Sequence, residues 1–244
     1  MDRSRRDFLR EIGRVTAGAP VALAAPAMAA APAAKDDGKP QPHWAMVVDV
    51  GKCIGCQACT IACIMENATP ENSFRTFVST YEVASGATVN AYMLPRLCNH
   101  CDDPPCTPVC PVGATYKQAD GIVVVDADRC VACGYCVQAC PYDARFINRE
   151  TRAADKCTFC SHRVEAGLLP ACVETCVGGS RIFGDLADPN SEVSKIAKTR
   201  RAEIRVLKPE EGTNPNVFYL GLDPRFEGRV DGAPTLWRPS EPRA

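Results

Sequence analysis

Sixteen cysteines are the residues most able to do chemistry in this 244-residue chain, and they sort into four quartets with none left over. The first is Cys53-x2-Cys56-x2-Cys59-x3-Cys63, and the second is Cys98-x2-Cys101-x4-Cys106-x3-Cys110 followed by Pro111. The third is Cys130-x2-Cys133-x2-Cys136-x3-Cys140 followed by Pro141, and the fourth is Cys157-x2-Cys160-x11-Cys172-x3-Cys176. Three thiolates spaced two apart fit a tight loop wrapped round one iron–sulfur cubane, with backbone N–H groups turned towards the sulfurs.

The third quartet has the spacing of the bacterial ferredoxin run, and the first lacks only the proline. In that arrangement the fourth cysteine opens a helix that faces away, so it ligates a neighbouring cluster. Quartets therefore work in pairs, and four quartets imply four clusters. Two other chemistries compete. All-cysteine zinc sites use C-x2-C knuckles, but they draw two thiolates from each of two separated knuckles, which suits these dense runs poorly. A disulfide framework belongs to short chains without cofactors, and cysteines this close in sequence rarely bridge one another.

The elements around the quartets must hold the loops in place. Met46–Asp49 reads as a strand leading into the first quartet. GIVVVD (121–126) and Arg145–Asn148 read as strands on either side of the third. Strand, cysteine loop, helix, turn, strand, cysteine loop, helix, strand is the two-cluster ferredoxin plan. It places quartets two and three in one unit over residues 95–149. Quartets one and four then pair across it, over 44–94 and 150–185. Spacing alone leaves the sequential pairing open, although 34 residues separate Cys63 from Cys98 and only 19 separate Cys110 from Cys130. Residues 74–94 read as an inserted hairpin turning at Ser85-Gly86. The C-terminal extension, 186–244, carries an expected helix near 190–202 and strands near 203–208 and 216–222. It shows no chemistry of its own and reads as a brace or a partner-binding surface. The expected class is α+β, with two nested ferredoxin-like units of βαββαβ type.

Aromatic residues make up only 7% of the chain, so a core rich in sulfur needs cohesion from elsewhere, and bound clusters would supply it. The formal charge of −1 and the lack of a basic stripe beyond the N-terminus argue against a nucleic-acid partner. At the N-terminus, Arg5-Arg6 precede Phe8-Leu9, and no charge occurs from Val15 to Ala34. This matches a twin-arginine export signal, with Ala27-Met28-Ala29 as a cleavage site and 30–43 as a linker. A transmembrane helix is the competing reading, but an Ala-rich run holding three prolines is a weak one. Loss of residues 1–29 would leave a formal charge of −3. Export after folding fits a cofactor inserted beforehand, and it makes the periplasm the expected location.

The ordered quartets, including the x4 and x11 departures, resemble the four-cluster electron-transfer subunits of dimethyl sulfoxide reductase-type molybdopterin oxidoreductases. The resemblance runs from Met46 to about Leu222, and the signal and linker carry none of it. The stretches LPRLCNHCDDPPCTPVCPVGAT, CVQACPYDARFIN, ADKCTFCSHRVEAGLLPACVETCVGG and VLKPEEGTNPNVFYLGLD are most similar to the tetrathionate reductase branch. The resemblance implies nested wiring of four [4Fe–4S] clusters. Cys53, Cys56, Cys59 and Cys176 would hold cluster 1, and Cys63, Cys157, Cys160 and Cys172 would hold cluster 2. Cys98, Cys101, Cys106 and Cys140 would hold cluster 3, and Cys110, Cys130, Cys133 and Cys136 cluster 4. Some relatives place Trp at the position of Cys133 and carry a [3Fe–4S] cluster there; cysteine here implies a cubane. The resemblance also implies two partners. Next to cluster 1 would be a catalytic molybdopterin subunit, and next to cluster 4 an integral membrane quinol-oxidising subunit. Thiosulfate or polysulfide, dimethyl sulfoxide and formate-dependent nitrite reductase systems are the alternative settings. A cysteine-rich metal-binding protein without redox work is the alternative class.

No catalytic residues are expected. The chain has no G-x-G-x-x-G or G-x4-G-K-[ST] loop and no Ser–His–acid arrangement. His43, His100 and His162 are the only histidines. With sixteen thiolates available, His100 and His162 are expected to pack or hydrogen-bond near a cluster rather than ligate iron. Lys156, Arg163 and Arg145 read as solvated surface, with a raising of cluster potentials as the other possibility.

Overall fold

The structure, a computed structural model, describes residues 41–85 and 88–222, without the side chains of 83–90. The segment read as an export signal, most of the linker, Gly86 and everything beyond Leu222 lie outside the described residues.

Strand β1 (Trp44–Asp49) is central in a three-stranded sheet. It pairs antiparallel with β8 (Arg181–Asp185) and parallel with β9 (Val217–Leu220). Its period of two separates two apolar faces. Met46 and Val48 enter the main core with Val217 and Tyr219, while Ala45 and Val47 pack with Val193 and Leu220. Burial on both sides is why the strand reads as a continuous apolar run. Val193 comes from helix α5 (Glu192–Thr199), whose N-cap Ser191 Oγ accepts from the Ser194 N–H at 3.1 Å.

The expected hairpin is present as β2 (Thr76–Ser85) and β3 (Thr88–Leu97). Ser85 pairs with Thr88, so Ser85 belongs to the strand and not to the turn. Pro95 faces Val78 and has no N–H to give the ladder. The Gln57 side-chain amide pairs with the Val78 backbone, donating to its carbonyl at 2.8 Å and accepting from its N–H at 3.2 Å. Gln57 thus fastens the first cysteine loop to the hairpin.

Two short hairpins flank the third quartet: β4 (Thr115–Lys117) with β5 (Val123–Val125), and β6 (Arg145–Asn148) with β7 (Ala153–Lys156). The strand expected over 121–126 is shorter because Gly121 (φ +87°) closes a turn onto the Gln118 carbonyl. The ferredoxin plan places a helix after the second cysteine loop, and there the chain makes successive turns instead. Thr107 N–H donates to the Pro104 carbonyl and Cys110 N–H to the Thr107 carbonyl, because Pro104, Pro105 and Pro108 bring no donors of their own. Helix α1 (Ala58–Asn67) packs against the later helices of the fourth quartet's segment. Three shorter helices follow it: α2 (Tyr135–Gln138), α3 (Ser161–Glu165) and α4 (Ala171–Glu174).

The strand expected near 203–208 reduces to a single bridge, Arg205 with Tyr219. Upstream, Glu203 and Ile204 are tied back to the Arg200 carbonyl. Downstream, Lys208 takes φ +46° into a 3-10 turn at Pro209–Glu211. No extended run fits between them. The extension does brace the core: Tyr219 is fully buried and its Oη donates to the Pro95 carbonyl at 3.0 Å.

Candidate metal centres

All sixteen cysteines are free thiols. Cys53, Cys56, Cys59 and Cys176 line a cavity together with Gln57, Val78, Pro95 and Arg181. Cys98, Cys101, Cys106 and Cys140 line a second, with Asn99, Val123 and Arg145. Cys110, Cys130, Cys133 and Cys136 line a third, with Thr115 and Val131. The remaining four thiols also meet. Asn67 Nδ2 lies 3.5 Å from Cys63 Sγ and 3.8 Å from Cys160 Sγ, and the Cys157 and Cys172 thiols interact electrostatically with Cys63. Among the described residues no three His, Cys, Asp or Glu side chains converge to hold a single metal ion. The thiols surround a volume rather than a point, which suits a cubane better than zinc.

The same backbone device builds the first C-x2-C step of every quartet. The residue just before the second cysteine is left-handed in all four quartets: Gly55 (φ +70°), His100 (φ +43°), Ala132 (φ +53°) and Phe159 (φ +52°). Only glycine adopts this region without cost, so histidine, alanine and phenylalanine held there mark a conformation imposed by the site. A left-handed residue reverses the chain and turns successive N–H groups inward, as an anion-binding nest does.

A second device serves the fourth cysteines. The residues three after Cys110, Cys140 and Cys176 (Gly113, Asp143 and Gly179) are left-handed too. The next N–H then reaches back to sulfur: Ala114 N to Cys110 Sγ and Ser180 N to Cys176 Sγ, both at 3.2 Å, with Ala144 doing the same for Cys140. Cys110 shows the effect. Burial would raise its thiol, yet the N–H groups of Thr115, Val112, Ala114 and Gly113 hold it below its ordinary value.

At four other thiols burial dominates. It pushes the Cys63 and Cys101 thiols up to about 12 and those of Cys140 and Cys172 up to about 11, with neighbouring cysteines adding to the rise at Cys63 and Cys140. Protonated thiols of this kind must lose protons when metal binds. The surrounding donors fit an electron-rich sulfur cluster. Asn99 is buried on the second cavity wall with both its Nδ2 and Oδ1 unpartnered. Arg145, also on that wall, has Nε and Nη1 unpartnered.

Arg145 and Lys156 are not solvated surface. They are 5% and 1% exposed, and Arg145 Nη2 donates to Cys106 Sγ at 3.0 Å. Arg163 is at the protein's periphery but paired: it bridges Glu66 of α1 and Glu174 of α4, while His162 lies 2.8 Å from Glu66. These contacts hold the α3 turn, and with it Cys160, against Cys63 and Cys172. His100 is fully buried and accepts the Val123 N–H at Nδ1 (3.1 Å), which puts its proton on Nε2. Burial, with Lys156 and Arg145 nearby, holds it neutral, and it stacks on Phe159 at 3.9 Å. Sequence reasoning missed Arg181, Asn67 and Asn99. Arg181 follows Cys176 by five and Asn67 follows Cys63 by four, and helix or turn geometry at those offsets was the available signal.

Two family profiles, each described as a 4Fe-4S dicluster domain, match residues 89–186 and 52–114. The B subunit of tetrathionate reductase from Salmonella typhimurium is 56% identical over 242 residues, covering 98% of this chain and 97% of that one. That coverage carries the similarity well outside 46–222, into N-terminal and C-terminal residues beyond the stretch expected to resemble the family. The B subunit of selenate reductase from Mesobacillus selenatarsenatis is 40% identical over 211 residues, covering 73% of this chain and 72% of that one. The B subunit of polysulfide reductase from Wolinella succinogenes is 40% identical over 182 residues, covering 72% and 93%. Ferredoxin-like dicluster segments, cysteine-lined cavities and near-full-length similarity agree: the protein belongs to the iron–sulfur subunit family of the dimethyl sulfoxide reductase-type molybdopterin oxidoreductases.

Proposed function

We propose that the chain relays electrons through four [4Fe–4S] clusters, from a quinol-oxidising membrane subunit to a catalytic molybdopterin subunit of a tetrathionate reductase in anaerobic respiration. The ligand sets are the four thiol groups above, in a nested arrangement of two ferredoxin-like units. When bound, such clusters supply one-electron carriers whose potentials follow hydrogen bonding, charge and exposure. The chain's own residues hold the cubanes, aim N–H groups at their sulfurs and exclude water. They act on no substrate.

The observation that carries this reading is where the wire meets the surface. Of the sixteen cysteines only Cys56 and Cys133 are exposed, one in the first thiol group and one in the last. Exposed apolar side chains stand close in sequence to each end: Ile54 near Cys56 and Val177 next to Cys176 of the same group, and Val131 and Tyr135 near Cys133. Two accessible ends with a buried middle suit a conduit between two partners, and exposed apolar patches suit docking. By family analogy the Cys56 end meets the molybdopterin subunit and the Cys133 end the membrane subunit. The twin-arginine motif supports a periplasmic location, with membrane association through the complex. Among the described residues no helix is long and apolar enough to cross a membrane.

The test is an anaerobic affinity purification of the tagged protein, followed by oxidation of a reduced viologen dye against a panel of acceptors. Iron and labile sulfide near sixteen each per chain, a molybdenum-containing partner and activity with tetrathionate are expected. Activity only with selenate, polysulfide, thiosulfate, dimethyl sulfoxide or nitrite would keep the wire and discard the acceptor. A colourless zinc protein would overturn the whole reading.

A further inference from the structure

Three cations, Arg145, Lys156 and Arg181, are more than nine-tenths buried beside thiols, at 5%, 1% and 3% exposure. A fourth buried cation, Arg96, stands apart from them: it donates to the Tyr142 carbonyl at 3.1 Å and lies over the Phe77 ring. Among the described residues none of the three pairs with a carboxylate. An isolated buried charge costs several kcal/mol and a guanidinium cannot shed its proton, so a counter-charge has to lie beside Arg145 and Arg181.

Their positions follow the order of the thiol groups. Arg181 lines the cavity of Cys53, Cys56, Cys59 and Cys176, and its Nη1 lies 3.7 Å from Cys172 Sγ of the next group. Lys156 donates from Nζ to the carbonyl of Cys157 at 2.8 Å, in that second group. The same Nζ donates to the carbonyl of Val123, which lines the cavity of Cys98, Cys101, Cys106 and Cys140. Arg145 lines that cavity and donates to Cys106 Sγ. Through the same Nη2 it reaches Thr115 Oγ1 at 2.9 Å, on the wall of the cavity of Cys110, Cys130, Cys133 and Cys136. One of the three therefore stands at each junction between successive thiol groups.

We infer that Arg181, Lys156 and Arg145 form a ladder of buried charges, each shared by the two clusters it separates, which raises the reduction potentials of both neighbours. The inference rests on the proposed occupancy of the four thiol groups by clusters. The physical reason is direct. Reduction adds one negative charge to a cluster that is already anionic with its four thiolates. A fixed cation a few ångströms away stabilises the reduced form, and low-dielectric surroundings strengthen the effect. A shared cation also offsets repulsion between adjacent reduced clusters, so an electron on one site penalises the next site less. Arginine suits the outer junctions because its guanidinium keeps its charge when buried and offers donors in several directions. Thiolates and cluster sulfur on both sides offset the cost of burying each cation. Arg145 keeps Nε and Nη1 without a protein partner, and these are donors that cluster sulfur would take.

The experiment is an EPR-monitored redox titration of the anaerobically purified, cluster-loaded protein and its Arg181→Met, Lys156→Met and Arg145→Met variants. Iron and sulfide analysis accompanies each. Wild-type protein with fewer than four cubanes would defeat the proposed occupancy before the ladder is tested. In loaded variants each substitution is expected to lower the potentials of two neighbouring clusters only. They are the first and second for Arg181, the second and third for Lys156, and the third and fourth for Arg145. The expected shift in the one-electron equilibrium is about tenfold, or about 59 mV. Unchanged potentials, or an equal shift of all four, would overturn the ladder. Where a methionine variant fails to load, Arg181→Lys, Lys156→Arg and Arg145→Lys decide. Restored loading with near-native potentials supports a role of charge, while loss in both kinds of variant assigns the residue to packing and overturns the inference.

Discussion

The side-chain amide of Asn67 lies 3.5 Å from Cys63 Sγ, in the place a backbone N–H takes at Cys110, Cys140 and Cys176. The substitution has a cause. Cys63 lies inside α1, so the N–H four residues on is committed to the helix ladder and cannot turn to sulfur. A side chain supplies the donor instead, steadied by Arg75 Nη1, which donates to Asn67 Oδ1 at 2.8 Å. Hydrogen bonds to sulfur favour the reduced, more negative cluster. Asn67→Ala should therefore lower the potential of the cluster held by Cys63 and leave the other three in place. A lost bond of about 1 kcal/mol corresponds to about 40 mV for one electron. Redox titration of the loaded variant checks it, and an unchanged set of four potentials would contradict it.

Gly178 offers a test of how tightly the first cavity is closed. A Cβ at this position would sit 2.3 Å from the Lys52 carbonyl oxygen, which is rigid backbone next to Cys53. Gly178→Ala must push the Cys176 segment away from the first loop, at a cost of about 1–3 kcal/mol from overpacking. The expected result is selective loss of the cluster held by Cys53, Cys56, Cys59 and Cys176, so that iron per chain falls by about a quarter. Gly134 is left-handed (φ +78°) but has no neighbouring atom within 4 Å of an added Cβ. Gly134→Ala should then cost only its backbone strain, about 1–2 kcal/mol, and retain the full iron content.

The cysteine loops were legible because ligand spacing is a local property, and the strands beside them nearly so. Met46–Asp49 was short by two residues because Trp44 and Ala45 pair with Asp185 and Gly184, more than a hundred positions away. The strand near 203–208 failed because the turn at Arg200 and the left-handed Lys208 confine pairing to Arg205. The charged residues were misread for a similar reason. Lys156 and Arg145 are cross-strand partners in one hairpin whose polar side faces sulfur instead of water, and no period-two pattern distinguishes those partners. Arg181 lies in β8, where its burial follows from pairing with Val48. Long-range register and the identity of the buried partner are what a single sequence hides.

Tyr219 shows what the C-terminal extension does for the site. Its ring is wholly buried, and its hydroxyl satisfies the carbonyl of Pro95, a wall residue of the first cavity. Tyr219→Phe keeps the packing and leaves that carbonyl without its donor, which should cost about 1–3 kcal/mol. Tyr219→Ala adds a cavity and should cost about 3–5 kcal/mol. Bleaching of the cluster absorbance in guanidinium, followed over time under argon, reads the order wild type, Phe, Ala. Equal bleaching rates in all three would show that the extension does not support the cluster walls.

Cys133 gives the sharpest test of the wiring, because its thiol is exposed and shares a cavity with Cys110, Cys130 and Cys136 alone among the cysteines. Ala132 and Gly134 on either side are both left-handed, so the loop presents Cys133 at its tip. A larger side chain there can swing into solvent without disturbing the buried hairpins behind it. Cys133→Trp should convert the cluster at this end to a three-iron form or abolish it, removing between about one and four iron atoms per chain. The EPR signals of the other three clusters should persist, since their thiols come from separate groups. Electron delivery to a molybdopterin partner from an artificial donor entering at the Cys56 end should survive, while quinol-driven turnover should be lost. Disappearance of a signal from the group of Cys98, Cys101, Cys106 and Cys140 instead would mean that Cys133 ligates across the junction, and the nested assignment would have to be redrawn.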